Sequence, residues 1–289
     1  MNPASPLRAT VVVPSRDRPE PLAACLAALA LQRETAFEVV VVDDASLDAD
    51  AVADAVADAV ADRGRVRLVR GEGAGPAAAR NLGAALARAD VVCFTDDDCR
   101  PGPDWVGALV TRIANGASAV AGPTRNGRPD DVFAAASQLI TNHLAEVSRH
   151  DDGPPFAPTS NLAVRAELFA KLAFDETYPL AAGEDRDWCE RLARAGHRLA
   201  FEPDAWVAHH QELSARRFWR QQERYGRGAH RLRSGHGGDL RPVGFYLGLL
   251  RSGFAAGPRV GTLVVVAQLA TCAGVIREVV ADRRRDRER

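Results

Sequence analysis

Short runs of β-branched residues, separated by amphipathic stretches, set the rhythm of the N-terminal part of the chain. "ATVVVPS" (9–15) predicts a buried strand closed at Pro14. In "EPLAACLAALALQ", Leu22, Leu26 and Leu29 recur at helical spacing. "FEVVVVDDAS" (37–46) predicts a second buried strand ending in Asp43 and Asp44. The repeat in "DADAVADAVADAVAD" places Val52, Val56 and Val60 on one helical stripe, a compositional bias that carries no chemistry. "RVRLVRG" predicts a third strand, "GPAAARNLGAALARA" a helix opening at Gly-Pro, and "DVVCFTDDD" a fourth strand running into Asp96, Asp97 and Asp98.

Strands that alternate with helices at these lengths imply right-handed crossovers. The fold class is therefore α/β, with a Rossmann-like, mostly parallel central sheet flanked by helices. Such sheets bind ligands beyond the carboxyl ends of their strands. The first, second and fourth strands end there in "PSRDR", "DDAS" and "DDD". After about residue 125 the pattern loosens. "SNLAVRAELFAKL" reads as a strand passing into a helix, and "EDRDWCERLARAG" as an amphipathic helix with a Gly stop. "LAFEPDAWVAHH" reads as one strand finishing on His209 and His210, and from Leu213 onward a helical, Arg-rich extension is expected.

Composition alters this picture in two ways. Among 289 residues the formal net charge is −1, yet residues 213–289 hold 16 Arg against 6 acids, a balance of +10 that leaves −11 on the rest. An acidic body and a basic C-terminal quarter face different surroundings. "VGTLVVVAQLATCAGVI" (260–276) falls short of the roughly 20 apolar residues of a confident span. With "PVGFYLGLL" and "DRRRDRER" it fits a core helix or a face lying on an anionic membrane equally well. The five cysteines show no CxxC spacing, which favours reduced thiols and a cytoplasmic setting, and the polar start "MNPASPLRAT" does not read as a signal peptide. Arg interleaves with aliphatic residues rather than following a recognition motif, so nucleic acid is not an expected partner.

A parallel sheet invites a dinucleotide or P-loop reading, but neither GxGxxG nor GxxxxGK[ST] occurs. A diphosphate would then be held through a divalent metal, and Mg2+ or Mn2+ prefers hard carboxylate oxygens. At this point "VVVPSRDRP", "EVVVVDDAS", "AAARNLG", "CFTDDD", "GEDRDWCERLARAG" and "AWVAHH" fall in the order seen in family 2 glycosyltransferases of the GT-A fold. The resemblance runs to about residue 230. It implies an inverting, metal-dependent transfer of a sugar from a nucleoside diphosphate donor, UDP-linked by preference, to a hydroxyl acceptor.

The resemblance also implies roles. Residues 1–125 form the nucleotide-sugar-binding part, 126–212 the acceptor and catalytic part, and 213–289 a basic helical extension touching a membrane or the domain itself. Pro14, Ser15 and Arg18 border base and ribose, Asp44 or its neighbour Asp43 reads the base edge, and Arg80 sits beside the nucleotide. Asp96, Asp97 and Asp98 occupy the place of the DxD motif. Strand alternation turns Asp96 and Asp98 to donor and metal and Asp97 away. His209, chosen over His210, completes the metal set with Asp96 and Asp98. Glu184 and Asp185 match the ED motif at a helix start, with Asp185 as the general base.

Ser160 and Asn161 stand where relatives often carry a Gly-rich acceptor loop. "QQERY" (221–225) faintly matches the QxxRW of processive synthases, whose several spans are not expected here. Acceptors compatible with this reading are a lipid-linked or cell-surface glycan and a small natural product. A sugar-1-phosphate nucleotidyltransferase would place a Gly-rich loop where "PSRDRP" stands. A sugar-binding scaffold would be expected to have lost Asp96, Asp98 or Asp185.

Overall fold

The computed structural model describes residues 6–63, 65–150, 156–178, 182–236 and 241–288. The N-terminal succession is β1 (Ala9–Ser15), α1 (Pro19–Ala30), β2 (Phe37–Asp43), α2 (Ala49–Arg63), β3 (Val66–Arg70), α3 (Pro76–Ala85) and β4 (Val91–Phe94). Next come β5 (Cys99–Pro101), α4 (Trp105–Ala114), β6 (Ala119–Ala121), β7 (Thr124–Asn126), α5 (Val132–His150), β8 (Leu162–Arg165) and α6 (Ala166–Lys171). The chain continues through α7 (Glu184–Arg194), β9 (Leu199–Phe201), β10 (Val207–His209), α8 (Ala215–His236), α9 (Val243–Ala255) and α10 (Pro258–Glu288).

Seven strands form one sheet in the order β3-β2-β1-β4-β8-β6-β9, and β5-β10-β7 form a smaller one. β8 alone runs against its neighbours in the large sheet. Along β1 alternate residues serve opposite faces, as the pleat requires. Val11 and Val13 join Leu22 and Leu26 of α1 and Trp105 and Leu109 of α4 in one core layer. Val12 turns the other way, to Phe94, Phe169 and Trp188. The chain leaves β1 for β2 on one side and returns to β4 on the other. That reversal opens a crevice beyond the carboxyl ends of β1 and β4.

Two expected strands are shorter than the pattern implied. β4 ends at Phe94, and the Cys99 amide closes a turn onto the Asp96 carbonyl at 3.0 Å. The acidic triplet therefore lies in a turn, where strand alternation no longer applies. "LAFEPDAWVAHH" splits into β9 and β10, which belong to different sheets. Pro203 lies between them and has no N–H for a ladder. On α2, Val52 and Val56 are buried as expected, while the Val60 side chain lies outside the described residues.

The C-terminal helices pack on the body rather than trailing from it. α10 runs along α8 so closely that a Cβ on Gly226 would sit 2.0 Å from the Thr271 carbonyl, and one on Gly274 2.0 Å from that of Glu223. Glu278, fully buried, bonds Arg227 at 2.6 Å and Arg231 at 2.8 Å. The opposite face of the helix pair is apolar and open: Leu247 and Phe254 on α9, and Val265, Leu269, Ile276 and Val280 on α10, are exposed. Pro258–Arg284 is long and apolar enough to cross a membrane by length and composition, its 18-residue apolar window having a mean hydropathy of 1.8 and 28% of its residues buried.

Candidate active site

A cleft of about 1320 Å3 opens at the crevice between β1 and β4. Pro14, Ser15 and Arg18 form one wall, the acidic turn 96–98 the floor, and α7 and α8 the far side. Each group is held by a specific partner. Ser15 Oγ donates to Asp97 at 2.9 Å, and the Arg18 guanidinium forks to Asp97 at 2.8 Å and Asp98 at 2.9 Å. Arg18 is thus committed to the acidic turn rather than free for a base. Asp97 does not point away: it is buried and lines the cleft, because the turn has replaced the strand pleat. Burial pushes its carboxyl up to about 7, opposed by Arg18 and reinforced by Asp98.

Asp43 and Asp44 separate in the same way. Asp43 pairs with Arg70 and accepts from the Ser46 amide at 3.0 Å, so it braces the loop and is not among the cleft-lining residues. Asp44 lines the cleft, with Oδ2 accepting from the Gly75 amide at 3.0 Å. Asn161 is likewise structural. Its Oδ1 accepts from Trp105 at 2.8 Å, and its Nδ2 donates to the Ala205 and Pro123 carbonyls. These bonds, with complete burial, leave it nothing for an acceptor. Ser160 does line the cleft.

Arg80 is a strut. Almost fully buried on α3, it bonds Asp96 at 2.7 Å and Glu184 at 3.3 Å, tying the acidic turn to the start of α7. Burial and then the neighbouring Asp185 push the Glu184 carboxyl up to about 7, against Arg80. Asp185 also lies above the ordinary carboxylate range, again through burial, with the Arg186 amide opposing at 2.8 Å. Glu184 Oε1 meets Arg80, its Oε2 is buried with no hydrogen-bond partner among the described residues, and Asp185 lines the same cleft beside it.

The metal set is built around Asp98 and His209. Asp98 Oδ1 lies 3.1 Å from His209 Nε2, whereas the His210 ring packs over Gly127. A chain of amides orients the imidazole. The Thr124 carbonyl accepts from Asn142 Nδ2 at 3.0 Å, so Asn142 Oδ1 receives Gln138 Nε2 at 2.8 Å. Gln138 Oε1 is thereby turned to His209 Nδ1 at 3.1 Å. A carbonyl oxygen only accepts, which places a ring proton on Nδ1. Nε2 meets Asp98 Oδ1 either through a second proton, as an imidazolium paired with the carboxylate, or through a cation bound in that proton's place. Burial opposes a charge on His209, but Asp98 outweighs it and raises the imidazole pKa. Against its own burial, Asp98 is held well below the carboxylate range by His209 and Arg18.

This oxygen and imidazole set fits Mg2+ or Mn2+, while Asp96 is held by Arg80 at 2.7 Å. The Cys99 thiol lies within 4.8 Å of both donors, but burial holds its pKa well up and keeps it protonated. Gln138 and Asn142 carried no sequence signal, since the bond to His209 spans 71 positions. Tyr225 and Arg224 of "QQERY" line the cleft from α8.

Comparison with known proteins places the chain in a family. The family model for glycosyl transferase family 2 matches residues 10–173, and that for glycosyl transferase family group 2 matches 119–277. A pre-mycofactocin glycosyltransferase of Mycobacterium tuberculosis is 31% identical over 177 residues, 58% of this chain and 37% of that protein. The chain thus spans little more than a third of that relative's length. Glycosyltransferase AglE of Haloferax volcanii is 28% identical over 204 residues, 69% of this chain and 66% of its own. The mannosyltransferase PcManGT of Pyrobaculum calidifontis, solved with GDP-Man and Mn2+, superposes with a TM-score of 0.62 at 23% identity, covering 95% of this chain and 76% of that one.

Replacing Gln138 with Leu removes the acceptor that orients His209. Mn2+ affinity, followed by electron paramagnetic resonance, is expected to fall about 10–100-fold with the circular dichroism spectrum retained. Unchanged affinity would remove the relay from the account.

The fold, the acidic turn and the matched models lead to one assignment: the chain belongs to glycosyl transferase family 2 and is built on the GT-A fold.

Proposed function

We propose that the enzyme inverts the anomeric centre of a UDP-linked sugar while moving it to a hydroxyl of a lipid-linked or cell-surface glycan. The observation that carries this reading is Asp185 at the start of α7, facing the same cleft as the Asp98–His209 pair. Asp44 supports uracil as the base. One carboxylate oxygen is taken by the Gly75 amide, leaving the other for a single ring N–H such as uracil N3–H.

Asp185 receives the proton of the acceptor hydroxyl as its oxygen bonds to the anomeric carbon and the bond to the departing diphosphate breaks. The transition state has oxocarbenium character, and no covalent sugar–enzyme species is formed. Asp98 and His209, with Asp96, would hold a divalent metal that neutralises charge on the two phosphates. Arg18 keeps Asp97 and Asp98 in place, and Arg80 sets the distance between that site and α7.

Replacing Asp185 with Asn is expected to leave UDP binding intact while kcat falls by about 10²–10⁴. Retained transfer would exclude Asp185 as the base. A base must be ionised, and burial has raised this carboxyl. The wild-type kcat/KM should therefore drop as pH falls through a midpoint above the ordinary value of about 4. A profile flat to that value would contradict the assignment.

The open apolar face of α9 and α10 supports a second element: the enzyme works lying on an anionic membrane. Arg251, Arg259, Arg283 and Arg284 are exposed around that face, complementing acidic headgroups. The grip of Arg227 and Arg231 on Glu278 favours lying along the surface over crossing it. Vesicles containing phosphatidylglycerol should pellet the full chain, and Leu269→Glu with Ile276→Glu should abolish this. Equal pelleting of wild type and variant would reject the idea.

A further inference from the structure

The arginines of α8 divide by face. Arg227 and Arg231 turn to α10 and share the buried Glu278. Arg224 and Arg233 line the cleft, joined there by Arg186 of α7 and Arg241 just ahead of α9. All four are half-buried, and none makes an ion pair among the described residues. The Nε of Arg224 is buried with no hydrogen-bond partner among the described residues. Arg233 Nε donates only to the Ala229 carbonyl of its own helix, and Arg241 donates to Ser148 Oγ at 3.2 Å. Burial and then the charge of Arg241 lower the pKa of Arg186, Asp185 and Glu190 oppose this, and Arg233 adds to the lowering. Four half-buried cations beside two carboxylates are left short of counter-charge, and an anion bound among them makes up the difference.

We infer that the C-terminal wall of the cleft is a receptor for a phosphate group carried by the acceptor, held by Arg186, Arg224, Arg233 and Arg241. This rests on the proposal that Asp185 receives the acceptor's proton, since Arg186 follows it directly on α7. Guanidinium forks match the oxygens of a phosphate, and several around one group suit a dianion better than a lone carboxylate. The donor's own diphosphate is served elsewhere, at the acidic turn with Arg18 and His209. Phe245, Tyr246 and Leu249 line the same wall, so the phosphate has two candidate sources: a lipid head or a soluble phosphomonoester.

The test uses the full chain with Mn2+, with and without saturating UDP, titrated calorimetrically. One arm compares sn-glycerol 3-phosphate with glycerol. The other compares phosphatidylcholine vesicles with and without a polyprenyl monophosphate. The phosphate-bearing member of one pair should bind, and the responding arm identifies a soluble or a lipid source. Arg233→Gln with Arg241→Gln should weaken that binding at least about tenfold while UDP affinity holds. The single Arg241→Gln variant serves if the pair fails to fold. No preference for phosphate in either arm, or undiminished binding in the variants, would overturn the inference. Failure of UDP to bind would count against the donor reading instead, because the phosphate arms are also run without it.

Discussion

Five carboxylates converge where β1, β4 and α7 meet, and two guanidiniums make that convergence tolerable. Arg18 spans Asp97 and Asp98, and Arg80 spans Asp96 and Glu184. Without them, burial and mutual repulsion would protonate the site or open the turn. A buried ion pair contributes little net stability, because desolvation consumes the Coulombic gain. Its contribution here is geometric. Arg80 fixes the reach between the acidic turn and the start of α7, and Arg18 fixes the turn against β1. What remains outside these clamps is Asp185, the second oxygen of Asp98 and His209, and all three residues line the cleft.

The cleft consequently has two electrostatic ends. The strand edges supply an acidic floor that suits a cation and, through it, a diphosphate. The helices α7 to α9 supply a basic wall lined in part with aromatic rings. The charge asymmetry between the chain's body and its C-terminal quarter thus becomes a gradient across one cleft, with Asp185 between the two ends. The open apolar surface of α9 and α10 lies on the same C-terminal helices, which joins the proposed lipid contact to the proposed acceptor wall.

Much of this was readable from residue order. β1, β2 and β3 were legible because β-branched runs between helical stripes have few other ways to bury themselves. The motif order implied that Asp98, His209 and Asp185 meet at one place, and all three line the cleft. The errors share a cause: a pattern was extended past the point where the backbone turned. Alternation was carried into the acidic triplet although β4 had ended, which misplaced Asp97. One strand was drawn through Pro203, whose missing N–H should have divided it. Asn161 was read as an acceptor contact, whereas Trp105 and the Ala205 and Pro123 carbonyls consume its amide. The Gln138–Asn142 relay and the basic wall were illegible for the same reason, since only packing decides which side of a helix faces the cleft.

The central claim is that Asp98 and His209 hold a metal that in turn holds the nucleotide. It is tested most directly by titrating UDP calorimetrically in Mn2+ and in chelator, for wild type and Asp98→Asn. The account predicts that Mn2+ tightens UDP binding at least about tenfold in the wild type, and that the substitution abolishes this gain. UDP binding equally well in chelator, or a metal-dependent gain that survives the substitution, would contradict it.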